Sequence, residues 1–224
     1  MLRLVISLFF VALAFGASKW KIQIFKWIEW KYYFVSAIPD ETEEWAGRIV
    51  GGSTASSGQF RYQASLRTTG NAHFCGGTLF SARWVVSAAH CTIGRSGGNT
   101  IIVMGAISRT TGGTTFGVSR IVNHPSYNSN TLANDISVLE TSSNVATTAA
   151  IAPAVLGSGF VGGGANVVAS GWGQTSHPGS AAANLQFLTV QTLTNADCRS
   201  RFSTANAARV FDNTICTFTR TGEG

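Results

Sequence analysis

The best candidates for catalytic chemistry in this sequence are a histidine and an aspartate, His90 and Asp135. His90 follows two alanines and precedes a cysteine in Ser87–Cys91. Small alanines leave space behind an imidazole that must keep a fixed pose. Asp135 lies in the mostly small or apolar run 132–139, where a lone carboxylate is costly to bury unless it is paired. A histidine held by a buried aspartate is the general-base half of a nucleophilic triad, so the pair predicts nucleophilic catalysis.

Length and composition indicate an all-β protein of one domain, which could consist of two barrels. The 224 residues are 45% hydrophobic and only 12% charged, which is ample for a core and excludes a disordered chain. The 25 glycines and the scarcity of charge are typical of short strands joined by many turns.

The positive charge does not indicate a nucleic-acid partner. The formal charge of the whole chain is +6, and residues 49–224 carry ten arginines, no lysine and five acids. These arginines are scattered singly and form no basic run. We therefore expect a solvated surface and no nucleic-acid binding.

Four cysteines predict two disulfides, because an even count in an exported chain is the usual mark of a disulfide framework. Three pairings are possible, and local spacing favours Cys75 with Cys91 and Cys198 with Cys216. A zinc site is disfavoured, since no Cys-x-x-Cys occurs and the adjacent His90–Cys91 pair cannot supply four ligands alone. Residues 93–134 contain no Asp or Glu, which disfavours a calcium loop. No metal or cofactor is expected.

The first 16 residues are typical of a secretory signal peptide. A positive start at Arg3 precedes an apolar run, Leu4 to Phe15, that is too short to span a bilayer. Ala14 and Gly16 supply the small residues that a signal peptidase needs. The pattern predicts secretion without a stable membrane anchor.

Residues 17–48 differ from the rest of the chain and are interpreted as a pro-segment. The part 18–35 is basic and aromatic, and four of the six tryptophans precede residue 48. Its periodicity is poor for an amphipathic helix. An insert without function, including a mis-predicted exon, and a membrane-lying segment are the alternative interpretations of 18–35.

The sequence from Ile49 onward predicts short strands separated by turn residues. Regular spacing without a long helical pattern is typical of a barrel or a sandwich. A glycine-rich connection at 155–164 separates two strand series, and a short helix carrying Cys198 is predicted within 195–208. Polar neighbours place the other three histidines at the surface: His73, His124 and His177.

Five motifs in order resemble the chymotrypsin-like (S1 family) serine proteases. They are Arg48–Gly52, Cys75–Leu79, Ser87–Cys91, Asn134–Leu139 and Gly171–Gly173. The low lysine content and small-residue richness are similar to insect digestive chymotrypsin- and trypsin-like enzymes. The resemblance implies two six-stranded antiparallel Greek-key barrels over 49–224, the first at about 49–155 and a partial second at about 156–224.

The resemblance also implies roles for individual residues. An activating protease that cuts after arginine would cleave Arg48–Ile49, and the freed amino group of Ile49 would turn inward to a carboxylate. His90 would be the general base, and Asp135 would orient it. The implied protein is a secreted, monomeric endopeptidase zymogen that acts on proteins or peptides.

The nucleophile is where the sequence departs from the resemblance. The family carries its serine in a Gly-Asp-Ser-Gly-Gly-Pro segment soon after the position matching Cys216, but only residues 217–224 follow here and contain no such motif. We therefore expect an incomplete second barrel and an inactive 224-residue chain. The alternatives are a catalytically dead homologue that acts as a binding or regulatory module, and a membrane-active protein using 18–35.

Overall fold

The computed structural model describes residues 34–35, 49, 51–157, 159, 161–176 and 179–218. The predicted signal peptide, Arg48, His177 and most of the predicted pro-segment lie outside the described residues. No helix within the described ranges is both long and apolar enough to cross a membrane.

Strands dominate the described chain, and the helices are short. In chain order the strands are β1 (Phe34–Val35), β2 (Ser53–Thr54), β3 (Gln63–Thr68), β4 (His73–Ser81), β5 (Trp84–Ser87), β6 (Thr100–Met104), β7 (Thr114–Asn123), β8 (Ser137–Thr141), β9 (Asn166–Gly171), β10 (Gln186–Leu193) and β11 (Thr214–Phe218). The α-helices are α1 (Ala89–Thr92), α2 (Asn195–Ser200) and α3 (Thr204–Ala207), and Gly97–Asn99 is a 3₁₀ helix.

The first half of the domain is a closed barrel. Its strands are hydrogen-bonded in the order β3-β4-β5-β8-β7-β6, and β6 closes back onto β3. Every pairing is antiparallel. The predicted all-β fold with a six-stranded antiparallel barrel is therefore confirmed.

Aliphatic side chains pointing into the barrel form its core. Leu66, Leu79, Val85, Ile102 and Leu139 are fully buried in one cluster. Each comes from a different strand, so the cluster ties β3, β4, β5, β6 and β8 together. Burying such a side chain stabilises the fold by about 1.5–3 kcal/mol, which makes this barrel a rigid support for what lies at its rim.

The second half forms a sheet of five described strands around β10. β9 pairs antiparallel with β10 along six residues, while β11 and β2 share the other edge of β10. β1 adds to β11 in parallel, so Phe34–Val35, which belong to the segment 18–35, join this sheet. Within the described residues this sheet is not closed into a barrel.

The predicted helix within 195–208 is two helices, α2 and α3. Thr194 caps α2 by accepting a hydrogen bond from the Asp197 amide at 3.0 Å. Ser203 is the N-cap residue of the separate helix α3. Serine and threonine favour helix starts, which explains why the polar run divides at this point.

His73 is half-buried, so the prediction that places it at the surface holds only in part. His73 begins β4 and packs against Trp172, with 5.2 Å between the ring centroids. Trp172 is itself 4% exposed and donates its indole N–H to Ile107 O at 2.9 Å. The polar flanking residues conceal this packing, because the partner ring lies almost a hundred positions away in the sequence.

Candidate active site

His90 is held at the rim of the barrel by the short helix α1, which follows β5 directly. Two side chains fix the backbone there: Ser137 Oγ donates to Ala88 O at 3.0 Å, and Thr92 Oγ1 donates to Asn123 Oδ1 at 2.6 Å. Ala89 is fully buried. A larger side chain would have no space at this position, so the alanine before His90 serves packing and the histidine faces outward.

Asp135 reaches the same rim from the loop that enters β8. Asn134 has a φ of 58°, a left-handed conformation that asparagine adopts more readily than most residues. Its side-chain amide donates to Ser126 O at 2.9 Å and holds this turn. The turn directs the Asp135 carboxylate back across the rim toward α1.

The structure brings His90 and Asp135 together through two hydrogen bonds. Asp135 Oδ1 accepts from the backbone N–H of His90 at 2.7 Å, and Oδ2 accepts from Nδ1 at 2.6 Å. An ionised carboxylate only accepts, so the proton is on Nδ1 and the lone pair is on Nε2. The Asp135 side chain is 11% exposed and that of His90 is 44% exposed. The carboxylate is thus sheltered, while Nε2 is open to reactants.

Both predicted cysteine pairs are disulfides in the structure. Cys75–Cys91 ties β4 to α1 beside His90, and the Sγ of Cys91 lies 3.4 Å from His90 Nε2. Cys198–Cys216 ties α2 to β11 inside a small apolar cluster. The first disulfide therefore restrains the histidine loop directly, and the second restrains α2 against β11.

A cleft of about 280 Å³ opens beside the imidazole. Its lining comprises His90, Tyr127, Ser129, Asn130, Leu132 and Arg209. Burial, and secondarily the negative charge of Asp135, raises the pKa of Tyr127. This lining is not evident from the sequence, because its residues come from a barrel loop and from the segment after α3, which only folding brings together.

Ile49, the residue after the predicted cleavage bond, is buried. Its side chain is 6% exposed, and its backbone N–H donates to Gln174 O at 2.7 Å. A Cβ on Gly52 would lie 2.5 Å from Ile49 Cγ2, so the glycine is required for this close approach. Arg48, the other residue of the predicted bond, lies outside the described residues.

A closed antiparallel barrel with an aspartate-oriented histidine at an open cleft defines the chymotrypsin-like class of proteases. A trypsin family model matches residues 49–224, which is the whole chain after the predicted pro-segment. The chain belongs to the trypsin family and is by family a serine endopeptidase.

Curated insect proteins are similar over most of the chain. Achelase-1 from Lonomia achelous is 40% identical over 174 residues, covering 75% of this chain and 81% of that protein. Trypsin, alkaline B from Manduca sexta is 36% identical, with 81% and 72% covered. Trypsin alpha from Drosophila melanogaster is 37% identical over 69% of this chain, which spans only 60% of that relative.

Proposed function

We propose that this protein is the secreted zymogen of a serine endopeptidase in which His90 is the general base and Asp135 its orienting carboxylate. One observation carries the proposal. Asp135 accepts hydrogen bonds from both the backbone N–H and Nδ1 of His90, which leaves Nε2 facing an open cleft. The two residues are 45 positions apart in the sequence, so the fold is what brings them into contact.

The tautomer of His90 with its proton on Nδ1 determines the role that this residue can have in peptide-bond hydrolysis. Nε2 takes the proton of a serine hydroxyl as that oxygen attacks a peptide carbonyl, and the resulting imidazolium is stabilised by Asp135. His90 then returns the proton to the leaving amine. General acid–base catalysis of this kind contributes about 10²–10⁴-fold to the rate. We assign the serine to no residue among 1–224, because these residues contain no Gly-Asp-Ser motif.

Activation is proposed to occur by cleavage of Arg48–Ile49 by a protease that cuts after arginine. In the uncleaved chain the backbone N–H of Ile49 donates to Gln174 O. After cleavage the new ammonium group of Ile49 would leave this hydrogen bond and pair with a carboxylate. The signal-like residues 1–16 support secretion. A protein or peptide substrate and a monomeric state without a membrane anchor complete the proposal.

A second candidate is a homologue without catalysis that binds or regulates. The observation in its favour concerns the hydrogen-bond partners of His90. Within the described residues no serine hydroxyl is hydrogen-bonded to His90 Nε2. The preserved His90–Asp135 geometry favours the enzyme, since a binding module has no chemical need for it.

The test uses the full product of the gene, with the 224-residue chain as a matched comparison. Each is cleaved after Arg48 and treated with a serine-directed phosphonate, and hydrolysis of peptide amides is then measured. We expect labelling and hydrolysis by any product that contains the nucleophile serine, and by no product without it. The full product with Asp135→Asn should lose about 10⁴-fold in kcat, the loss typical of Ser-His-Asp enzymes with the wrong histidine tautomer.

The control variant is Asp212→Asn, which changes an aspartate whose side chain is 99% exposed and pairs with Arg199 at 3.0 Å. It should leave kcat within about twofold, as expected of a surface change. A full product that is folded, cleaved after Arg48 and still neither labelled nor hydrolytic would overturn the enzyme and support the binding module.

A further inference from the structure

We propose that the cleft beside His90 selects peptide substrates with an acidic side chain close to the cleaved bond, and that Arg209 recognises the carboxylate. This assignment rests on the proposed function and names the class of substrate that the site would take. The cleft of about 280 Å³ is smaller than typical sites for small molecules, which are about 300–1,000 Å³. It therefore has room for the side chains of an extended peptide rather than for a large ligand.

The charge of the cleft favours an anion. Among the described residues that line it, Arg209 is the one permanently charged side chain, and no aspartate or glutamate is present. The neighbouring Asp135 carboxylate is sheltered and engaged in two hydrogen bonds from His90. A guanidinium binds a carboxylate through two parallel hydrogen bonds, which an uncharged amide cannot reproduce. A peptide carboxylate in the cleft therefore meets a positive group.

The neutral lining residues complement the two parts of an acidic side chain. Ser129 and Asn130 are exposed and carry hydroxyl and amide donors. Burial, and secondarily Asp135, raises the pKa of Tyr127, so its phenol stays protonated and is a further donor. Leu132 is half-buried and offers an apolar surface to methylene groups. The lining thus suits a carboxylate on a short apolar stem, as in Glu.

The loop that carries this lining is held in one shape by its own hydrogen bonds. Asn128 Oδ1 accepts from the backbone N–H of Asn130 at 2.9 Å and of Thr131 at 3.2 Å. The backbone O of Asn128 accepts from the N–H of Leu132 at 2.7 Å. These bonds hold Leu132 at a φ of 57°, a left-handed conformation that is unfavourable for leucine. A loop fixed in this way loses little conformational entropy when a substrate binds.

Arg209 lies in the segment after α3, which is also fixed. Its backbone N–H donates to the O of the buried Asn206 at 3.0 Å. The next residue, Val210, is buried in the apolar cluster of the Cys198–Cys216 disulfide. The backbone of Arg209 is therefore anchored on both sides, while its half-buried side chain lines the cleft.

The charge of the surrounding chain favours the same substrates. Residues 49–224 carry ten arginines and five acids, and the stretch 93–134, which contains the loop of the cleft, has no acid. An excess of positive charge raises the rate at which acidic peptides arrive, and salt screens this attraction. Selectivity for an acidic side chain should therefore decrease as the salt concentration rises.

Pairs of peptides that differ only in charge test the proposal. The full product of the gene is cleaved after Arg48 and given peptide amides that carry Glu, or the isosteric Gln, at one position at a time. Series with arginine, phenylalanine or alanine before the cleaved bond cover basic, aromatic and small-residue substrates. At one position kcat/KM should be about five- to thirtyfold higher for Glu than for Gln, mainly through KM, because a half-buried charged pair lies between exposed and buried pairs in strength.

Substitutions identify the residue responsible. Arg209→Gln should lower the Glu-to-Gln ratio to about one, whereas Arg209→Lys should keep part of it, since lysine retains the charge without the planar fork. The matched control is Arg201→Gln, which removes an equal charge from an exposed arginine that lies over the Phe218 ring, outside this lining. It should leave the ratio unchanged. A wild-type ratio near one at every position, or a ratio that Arg209→Gln does not lower, would overturn the proposal.

Binding of the same peptides to the 224-residue chain separates this proposal from the proposed function. In nuclear magnetic resonance spectra, the His90 ring and the amides of 127–132 report occupancy of the cleft. Glu peptides should shift these signals at lower concentration than Gln peptides, and Arg209→Gln should remove the difference. Preferential binding of Glu peptides without hydrolysis by the full product would support the acidic site and reject the enzyme. Hydrolysis, or binding, that is equal for Glu and Gln would reject the acidic site.

Discussion

A buried arginine lies in a hydrogen-bonded chain with His73. Arg67 is 1% exposed and donates to Ser65 Oγ at 2.8 Å, to Asn71 Oδ1 at 2.9 Å and to Ser108 O at 3.2 Å. Ser65 Oγ in turn lies 2.8 Å from Nδ1 of His73. Burial, followed by the positive charges of Arg67 and Arg109, lowers the pKa of His73 to about 4. The imidazole is thus neutral and accepts the serine proton.

This arrangement predicts acid sensitivity. The ordinary pKa of 6.5 applies when the chain is unfolded, so between pH 6.5 and about 4 the unfolded chain binds the proton and the folded chain does not. The free energy of unfolding should therefore fall as pH decreases through this window, and less so in His73→Asn. Urea unfolding at pH 7 and pH 4.5 measures the difference.

Nuclear magnetic resonance provides the direct control for the His73 prediction. The ring protons of His73 should titrate with a midpoint near pH 4 in the folded chain. A midpoint near 6.5, or equal acid destabilisation in wild type and His73→Asn, would contradict the prediction.

At the scale of elements, β4 contains two adjacent glycines that differ in their packing. Gly77 is in tight contact with the neighbouring strands, whereas Gly76 is not. A Cβ on Gly77 would lie 2.8 Å from Val85 Cγ1, 2.9 Å from Val86 O and 3.0 Å from Leu66 Cδ1. A Cβ on Gly76 would meet Gln63 Nε2 at 3.4 Å, at the far end of a flexible side chain. The close approach of β3 and β5 to β4 therefore requires Gly77 and tolerates a methyl group at Gly76.

We expect Gly77→Ala to destabilise the chain by about 1–3 kcal/mol, because overpacking forces a shift of the Val86 backbone. Gly76→Ala is the matched control, which should range from neutral to about 1 kcal/mol stabilising, since alanine restricts the unfolded chain. The midpoints of denaturant-induced unfolding measure both changes, provided that the dependence of the unfolding free energy on denaturant concentration is the same in each variant. Equal midpoints for the two variants would show that β4 has room on both sides.

At the scale of the molecule, the closed barrel and the second sheet differ in their edges. A closed barrel has no free strand edge, whereas within the described residues β9 pairs on one side only, with β10. The β9 residue Val168 is 48% exposed. An unpaired edge with an apolar residue is a template for association between chains.

The purified 224-residue chain should consequently associate with itself, and Val168→Lys should reduce this association, because lysine on an edge strand opposes pairing. Val155→Lys is the matched control: Val155 is 97% exposed but lies outside the strands, so the change should have little effect. Sedimentation velocity over a concentration series measures the outcome. Equal association in both lysine variants would place the contact elsewhere.

The sequence by itself determined the all-β class, the strand series after Ile49 and the His90–Asp135 pair. These features depend on local patterns, namely the alternation of apolar and polar residues, glycine turns and short motifs. Such patterns are visible in the order of the residues alone. Only the tertiary structure decided that Asp135 accepts two hydrogen bonds from His90, that His73 packs against Trp172 and that Cys75 lies beside the imidazole. The reason is physical: each contact joins distant segments, and barrel closure sets distances that no local pattern encodes.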